Sequence, residues 1–150
     1  MKQRGFELTS KVVNEANYKL PMRMTKRSPA YDFFSPIDII IHPGEKVKIP
    51  TGIKSFFQFG EGLFFITRSS LGTKYQITLA NNIALIDPDY YNNPENEGEM
   101  FVFLVNNGTK DFPIKVGDRF CQAFFLPVLL ADDDNVVKAT RESGLGSTGK

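Results

Sequence analysis

Apolar residues along this chain fall in short runs rich in Ile, Val and Phe, at 37–41, 47–49, 56–59, 63–66, 101–105 and 120–126. β-Branched and aromatic runs of this length have the composition of strands. Turn-forming clusters separate them: His42-Pro43-Gly44, Pro50-Thr51-Gly52, Gly60-Glu61-Gly62, Asn106-Asn107-Gly108 and Val116-Gly117-Asp118. Each supplies glycine, or a side chain that bonds its own backbone, where the chain must reverse. Strands at that spacing, with no long helical period between them, predict an all-β sandwich or barrel. One short helix is expected at 71–75, with the hydroxyl of Ser69 or Ser70 capping its start. Beyond the acidic residues 132–134 the apolar pattern stops. The chain therefore divides into a β domain, 1–139, and a glycine-rich arm, 140–150, that is expected to be mobile.

Length and composition narrow the function classes. The chain has 150 residues, one domain's worth, enough to bury a core without staples. Lys and Arg number 18 against 17 Asp and Glu. That balance argues against a protein whose work is nucleic-acid binding, which needs a basic surplus. The lone Cys121 can form no internal disulfide and fits a reducing compartment. The longest apolar stretch, 120–131, is interrupted by Gln122 and Pro127 and falls short of a membrane span. The charged first twenty positions lack the apolar core of a secretory signal. A cytoplasmic protein with no membrane partner is expected.

Five segments carry the candidate chemistry. Leu20-Pro21-Met22-Arg23-Met24-Thr25 leads into Ser28-Pro29-Ala30-Tyr31-Asp32, and Thr67-Arg68-Ser69-Ser70-Leu71-Gly72 follows. Then come residues 81–90, ending Ile86-Asp87-Pro88-Asp89-Tyr90, and Gly117-Asp118-Arg119-Phe120-Cys121-Gln122. The last is Ser143-Gly144-Leu145-Gly146-Ser147-Thr148-Gly149. In this order the segments resemble the five motifs of the homotrimeric dUTPases. The resemblance implies a jelly-roll or distorted β-barrel subunit, a homotrimer with shared active sites, and dUTP as substrate. It implies Mg²⁺-dependent hydrolysis to dUMP and pyrophosphate, the dUTP diphosphatase reaction, which limits uracil in DNA and supplies dUMP for dTMP synthesis.

The resemblance also assigns roles. Asp87 would activate the water that attacks the α-phosphorus; a carboxylate can serve as such a general base, and on pattern alone it fits equally a strand end that caps a turn. Tyr90, on the hairpin expected after Asp87, would pack on the deoxyribose and reject a 2′-hydroxyl. Ala84, Leu85 and Phe101 would bind uracil, Ala84 and Phe101 through backbone groups of two hairpin strands, and Asn81 would add a side-chain amide. Arg68, Ser69 and Ser70 would hold the triphosphate at the helix start. Gln122, alternating with Phe120 and Phe124, is directed into or beside the core and would reach the phosphates. Asp32 would support Mg²⁺, largely through water. From the arm, Arg141 would meet the γ-phosphate, Leu145 would cover the base, and Gly146 and Ser147 would wrap the phosphates.

The chain departs from the family pattern in places. Residues 91–97 form an insertion between Tyr90 and Gly98. Its polar, turn-forming content suits an extended hairpin tip, a candidate surface for a neighbouring subunit or a regulatory protein partner. Leu145 stands where the family carries an aromatic ring, and Thr67 replaces a proline. Paired phenylalanines, Phe56-Phe57 and Phe64-Phe65, suggest strands covered on both faces. The related dCTP deaminases share the fold but need a proton-shuttling Glu where this chain has Phe103. A binding module that has kept the fold and captures a partner is the reading from another class.

Overall fold

The computed structural model describes residues 1–12 and 15–136. The strands in chain order are β1 (Gly5–Leu8), β2 (Tyr31–Phe34), β3 (Ile39–Ile41), β4 (Lys46–Pro50), β5 (Ile53–Phe56) and β6 (Glu61–Ile66). After the helix α1 (Ser69–Tyr75) come β7 (Ile77–Leu79), β8 (Ala84–Ile86), β9 (Phe101–Asn106), β10 (Phe112–Ile114) and β11 (Arg119–Pro127). Two main sheets form, β2-β11-β6-β8 and β4-β9-β7, with β1-β5 and β3-β10 as flanking pairs. Every pairing is antiparallel.

Alternation explains how these strands make one core. In β9 every second residue is buried, and in β4 Val47 and Ile49 are buried between lysines. Leu63 and Phe65 of one sheet meet Ile49, Ile77, Val102 and Leu104 of the other in a single apolar cluster. Phe33 lies at its centre, fully buried, with the ring of Phe65 at 4.8 Å and that of Phe6 at 5.6 Å. This is the expected jelly-roll-like sandwich; among the described residues its sheets do not close into a barrel.

Three local expectations are corrected. The strand expected at 56–59 lies earlier, at Ile53–Phe56, because Gln58 to Gly60 make the turn. Its polar members are buried with partners: Ser55 donates to the Gly5 carbonyl, and Lys54 reaches Asn92 and Glu97. The helix begins at Ser69, so Arg68 is the N-cap residue and no side chain caps it. The expected serine cap is not made, since Ser69 is already the first helical residue.

The third correction concerns residues 91–97. Strands β8 and β9 do not form a hairpin: among the described residues β8 pairs with β6 alone, and β9 pairs with β4 and β7. The insertion between them folds back as a compact set of turns. Asn92 N–H donates to the Glu97 carbonyl and Glu97 N–H to the Asn93 carbonyl. Its outer end is fastened by Lys54, only 9% exposed, whose Nζ lies 2.6 Å from Glu97 Oε1. The Ser10 N–H and hydroxyl also donate to that carboxylate.

Two consequences can be measured. Phe33→Ala removes a ring from a close-packed core, and urea unfolding should show a loss of about 3–5 kcal/mol. Bonding to Lys54 first, then to Ser10, lowers the Glu97 pKa from 4.5 to about 2. A depressed folded-state value stabilises the protein above the unfolded pKa, and that contribution is lost as pH falls through the folded one. Glu97→Gln should therefore lower the melting temperature at pH 7, and the gap to the parent should close between pH 4.5 and about 2.

Candidate active site

The separation of β8 from β9 leaves a cavity of about 110 Å³ between them, lined by Asn81, Ala84, Leu85, Asp87, Tyr90 and Phe101 and floored by Phe65 and Leu79. β8 is an edge strand, and its far edge borders this space. The pairing of β9 with β7 ends at Leu104↔Leu79, with one further bond from Ala80 N–H to the Phe103 carbonyl. Phe101 and Val102 thus run on past the end of β7 and line the cavity from the other side. Two backbone edges facing one space offer donors and acceptors in fixed array.

Asp87 continues β8 in extended conformation and leads into a single 3₁₀ turn, Pro88–Tyr90. Pro88 suits the first position of that turn, where its missing N–H costs nothing. The Asp87 carbonyl accepts the Tyr90 N–H at 3.1 Å, while its carboxylate makes no cap bond. Turn capping by the side chain is therefore not the role of this residue. Tyr90 lies in the turn rather than on a strand, and only 7% of it is exposed. Its hydroxyl donates to the Glu99 carbonyl at 2.7 Å and accepts from Asn96 Nδ2 at 2.8 Å.

A second cluster gathers Asp32, Arg68, Ser70, Gln122 and Arg119. Gln122 of β11 stands opposite both Asp32 of β2 and Ile66 of β6. Arg68 Nε lies 3.1 Å from Asp32 Oδ1 and Arg119 Nη1 3.3 Å from Oδ2. Arg68 Nη1 also donates to the Arg119 carbonyl at 3.3 Å. Two guanidinium groups share one carboxylate, so the cluster keeps an excess positive charge. Arg68, Ser70 and Arg119 border a groove of about 280 Å³, which Asp118 also lines. Ser69 is exposed beside it. Two guanidinium groups side by side offer the donors that phosphate oxygens accept from.

The donor set does not fit a protein-held metal. Among the described residues no three His, Cys, Asp or Glu side chains come together, and both oxygens of Asp32 face arginines. His42 is exposed, belongs to neither cluster, and pairs with Asp111 at 2.8 Å, which raises its pKa. Burial, followed by the nearby Asp32 charge, pushes the Cys121 thiol well above its ordinary value, so it is no nucleophile. Gln122 lies half-buried on the sheet face of Phe124, while Phe120 and Cys121, next to a register shift between Arg119 and Cys121, are both buried.

The two clusters do not meet within one chain. Ile86 pairs with Leu63 near the start of β6, so Asp87 leaves the sheet at that end. Arg68 follows Ile66 at the other end. At about 3.3 Å per residue, six residues of β6 put the two roughly 15–20 Å apart. Arg141, Leu145, Gly146 and Ser147 lie outside the described residues. Arg119 and Asn96 were missed as site residues. Arg119 stands in the Gly-Asp-Arg segment and could have been marked by charge, whereas nothing local marks Asn96.

The chain as a whole is similar to proteins of one known family. The dUTPase family model matches residues 16–149. A deoxyuridine 5′-triphosphate nucleotidohydrolase of Lactococcus lactis subsp. lactis (strain IL1403) is 43% identical over 150 residues, 99% of each chain. One from Desulfitobacterium hafniense (strain DSM 10664 / DCB-2) is 38% identical over 138 residues, 87% of each. The crystal structure of dUTPase from Streptococcus mutans superposes with a TM-score of 0.77 at 39% identity, covering 85% of this chain and 98% of that one. With the family model matching most of its length, and relatives of this similarity along it, this chain belongs to the dUTPase family.

Proposed function

We propose that the protein hydrolyses dUTP to dUMP and pyrophosphate at sites shared between subunits of a homotrimer. The observation that carries this reading is the cavity between β8 and β9, where a carboxylate, a buried tyrosine ring and two backbone edges converge. Uracil, on this reading, binds the backbone of Ala84, Leu85 and Phe101, with the Asn81 amide beside it. The narrow space leaves no room for a 5-methyl group. The Tyr90 ring covers the deoxyribose, where a 2′-hydroxyl would collide with it.

Asp87 takes a proton from a water molecule as that water attacks the α-phosphorus. A phosphorus–oxygen bond to water forms, and the bond to the oxygen bridging to the β-phosphorus breaks. Pyrophosphate leaves with the electron pair of that oxygen. Arg68, Ser69, Ser70 and Gln122 hold the triphosphate and spread its charge. Mg²⁺ would arrive with the substrate and would supply neutralisation of phosphate charge. Asp32 then acts on the arginines rather than as a metal ligand: it holds Arg68 and Arg119 in place until phosphate oxygens compete for them.

Two features support the shared site. Asp87 and Arg68 stand at opposite ends of β6, so one triphosphate reaches both only if they come from different chains. The outer face of the larger sheet also carries an apolar row, Phe124–Phe64–Leu85, in direct cross-strand register. Phe64 and Phe124 stack at 6.0 Å and Leu85 is 53% exposed, a face that a neighbouring subunit would cover. The arm, with Arg141, Leu145, Gly146 and Ser147, closes the occupied site. A place in the cytoplasm, where dUTP arises and dUMP feeds dTMP synthesis, completes the proposal.

The test is pyrophosphate release from dUTP, dTTP, dCTP and UTP in the presence of Mg²⁺. Release from dUTP alone is expected, with Asp87→Asn slower by about 10²–10⁴-fold at unchanged circular dichroism. Release from none of them, or full activity in Asp87→Asn, would overturn the proposal.

A further inference from the structure

Residues 91–97 fold onto the side of Tyr90 away from the cavity, and they do so through side chains specific to this loop. Asn96 Nδ2 donates to the Tyr90 hydroxyl at 2.8 Å, and that hydroxyl donates onward to the Glu99 carbonyl at 2.7 Å. The phenol is therefore held both as acceptor and as donor. Asn96 Oδ1 accepts the Gly98 N–H at 3.0 Å and Asn93 Nδ2 at 2.8 Å. These two N–H donors fix which end of the Asn96 amide meets the tyrosine.

Asn93, 5% exposed, secures the other side of the same residue. Its Nδ2 also donates to the Tyr90 carbonyl at 2.8 Å, and its Oδ1 accepts the N–H groups of Glu95 and Asn96, each at 3.1 Å. Gly98 at φ +85° brings the returning chain so close that a Cβ there would lie 2.8 Å from the Tyr90 carbonyl. The outer end of the loop is tied down by Lys54 and Glu97. The insertion thus grips Tyr90 at its backbone and at the far end of its ring.

A steric filter works only as well as its wall resists being pushed. A tyrosine ring free at its hydroxyl end can swing aside for an extra oxygen atom; one fixed at both ends cannot without breaking bonds. We infer that Asn96 is a positioning residue for Tyr90, fixing the phenol so that the pocket rejects a 2′-hydroxyl. This rests on the reading that the Tyr90 ring faces the deoxyribose. It assigns the insertion to nucleotide selection.

The experiment compares kcat/KM for dUTP and UTP in the full-length protein and its variants. Asn96→Ala removes the N–H that meets Tyr90 and leaves no group there that could accept the tyrosine proton instead. It should lower the dUTP-to-UTP ratio by about three- to ten-fold, the worth of one hydrogen bond. The same substitution in a Tyr90→Phe background, where the bond is already absent, should lower it by much less, the remainder being the loosened contacts to Gly98 and Asn93. Both substrates meet the same enzyme, so a smaller folded fraction cancels from the ratio. Tyr90→Ala serves as the reference, and it should abolish most of the discrimination. If Tyr90→Ala lowers the ratio and Asn96→Ala leaves it unchanged, or lowers it equally without the hydroxyl, the inference is wrong while the reading of Tyr90 stands. If Tyr90→Ala leaves the ratio intact, the ring does not face the sugar, and both fail together.

Discussion

The division of β8 and β9 between two sheets is the constraint on which the rest depends. Had the two strands paired as a hairpin, their inner edges would have satisfied each other. Because β8 bonds only to β6, and β9 runs past the end of β7, two backbone edges border the same small cavity. That geometry suits recognition of a flat heterocycle by main-chain groups, which cannot drift as side chains do. It also explains why the intervening residues need their own internal bonding. No ladder holds them, so Asn93, Asn96 and Glu97 supply the contacts that a hairpin would have made.

The arginine–carboxylate cluster solves a different problem. A triphosphate needs concentrated positive charge, yet guanidinium groups left unpaired would be poorly ordered and would repel one another. Asp32, 8% exposed and flanked by Arg68 and Arg119, orders both while leaving the cluster cationic overall. On the proposed reading, an arriving phosphate oxygen would compete for donors that are already aimed, leaving less ordering cost for binding.

Much of this was legible in the sequence, and the failures have physical reasons. The long apolar runs at 101–105 and 120–126 became β9 and β11, since both lie in the interiors of their sheets. Short or polar strands escaped. β1, β7 and β8 have three or four residues, and β5 buries Lys54 and Ser55, whose partners lie some forty or fifty positions away in the chain. The ordered motifs singled out Asp87, Tyr90 and Arg68 as candidates, and the structure places the first two on the cavity beside β8 and the third against Asp32. What they did not reveal was the long-range wiring. A run of Asn, Pro and Glu reads as an exposed tip, and only the fold shows its amides turned inward onto Tyr90.

The central claim is that one reaction centre draws Asp87 from one chain and Arg68 from another, and subunit complementation tests it most directly. Asp87→Asn and Arg68→Ala, each inactive alone, would be unfolded together, refolded as a mixture and assayed for pyrophosphate release from dUTP. The account predicts that activity returns, to about a quarter of the parent level for random assembly of equal amounts. Activity that stays at the sum of the two separate residual rates would contradict it and place the whole reaction within a single chain.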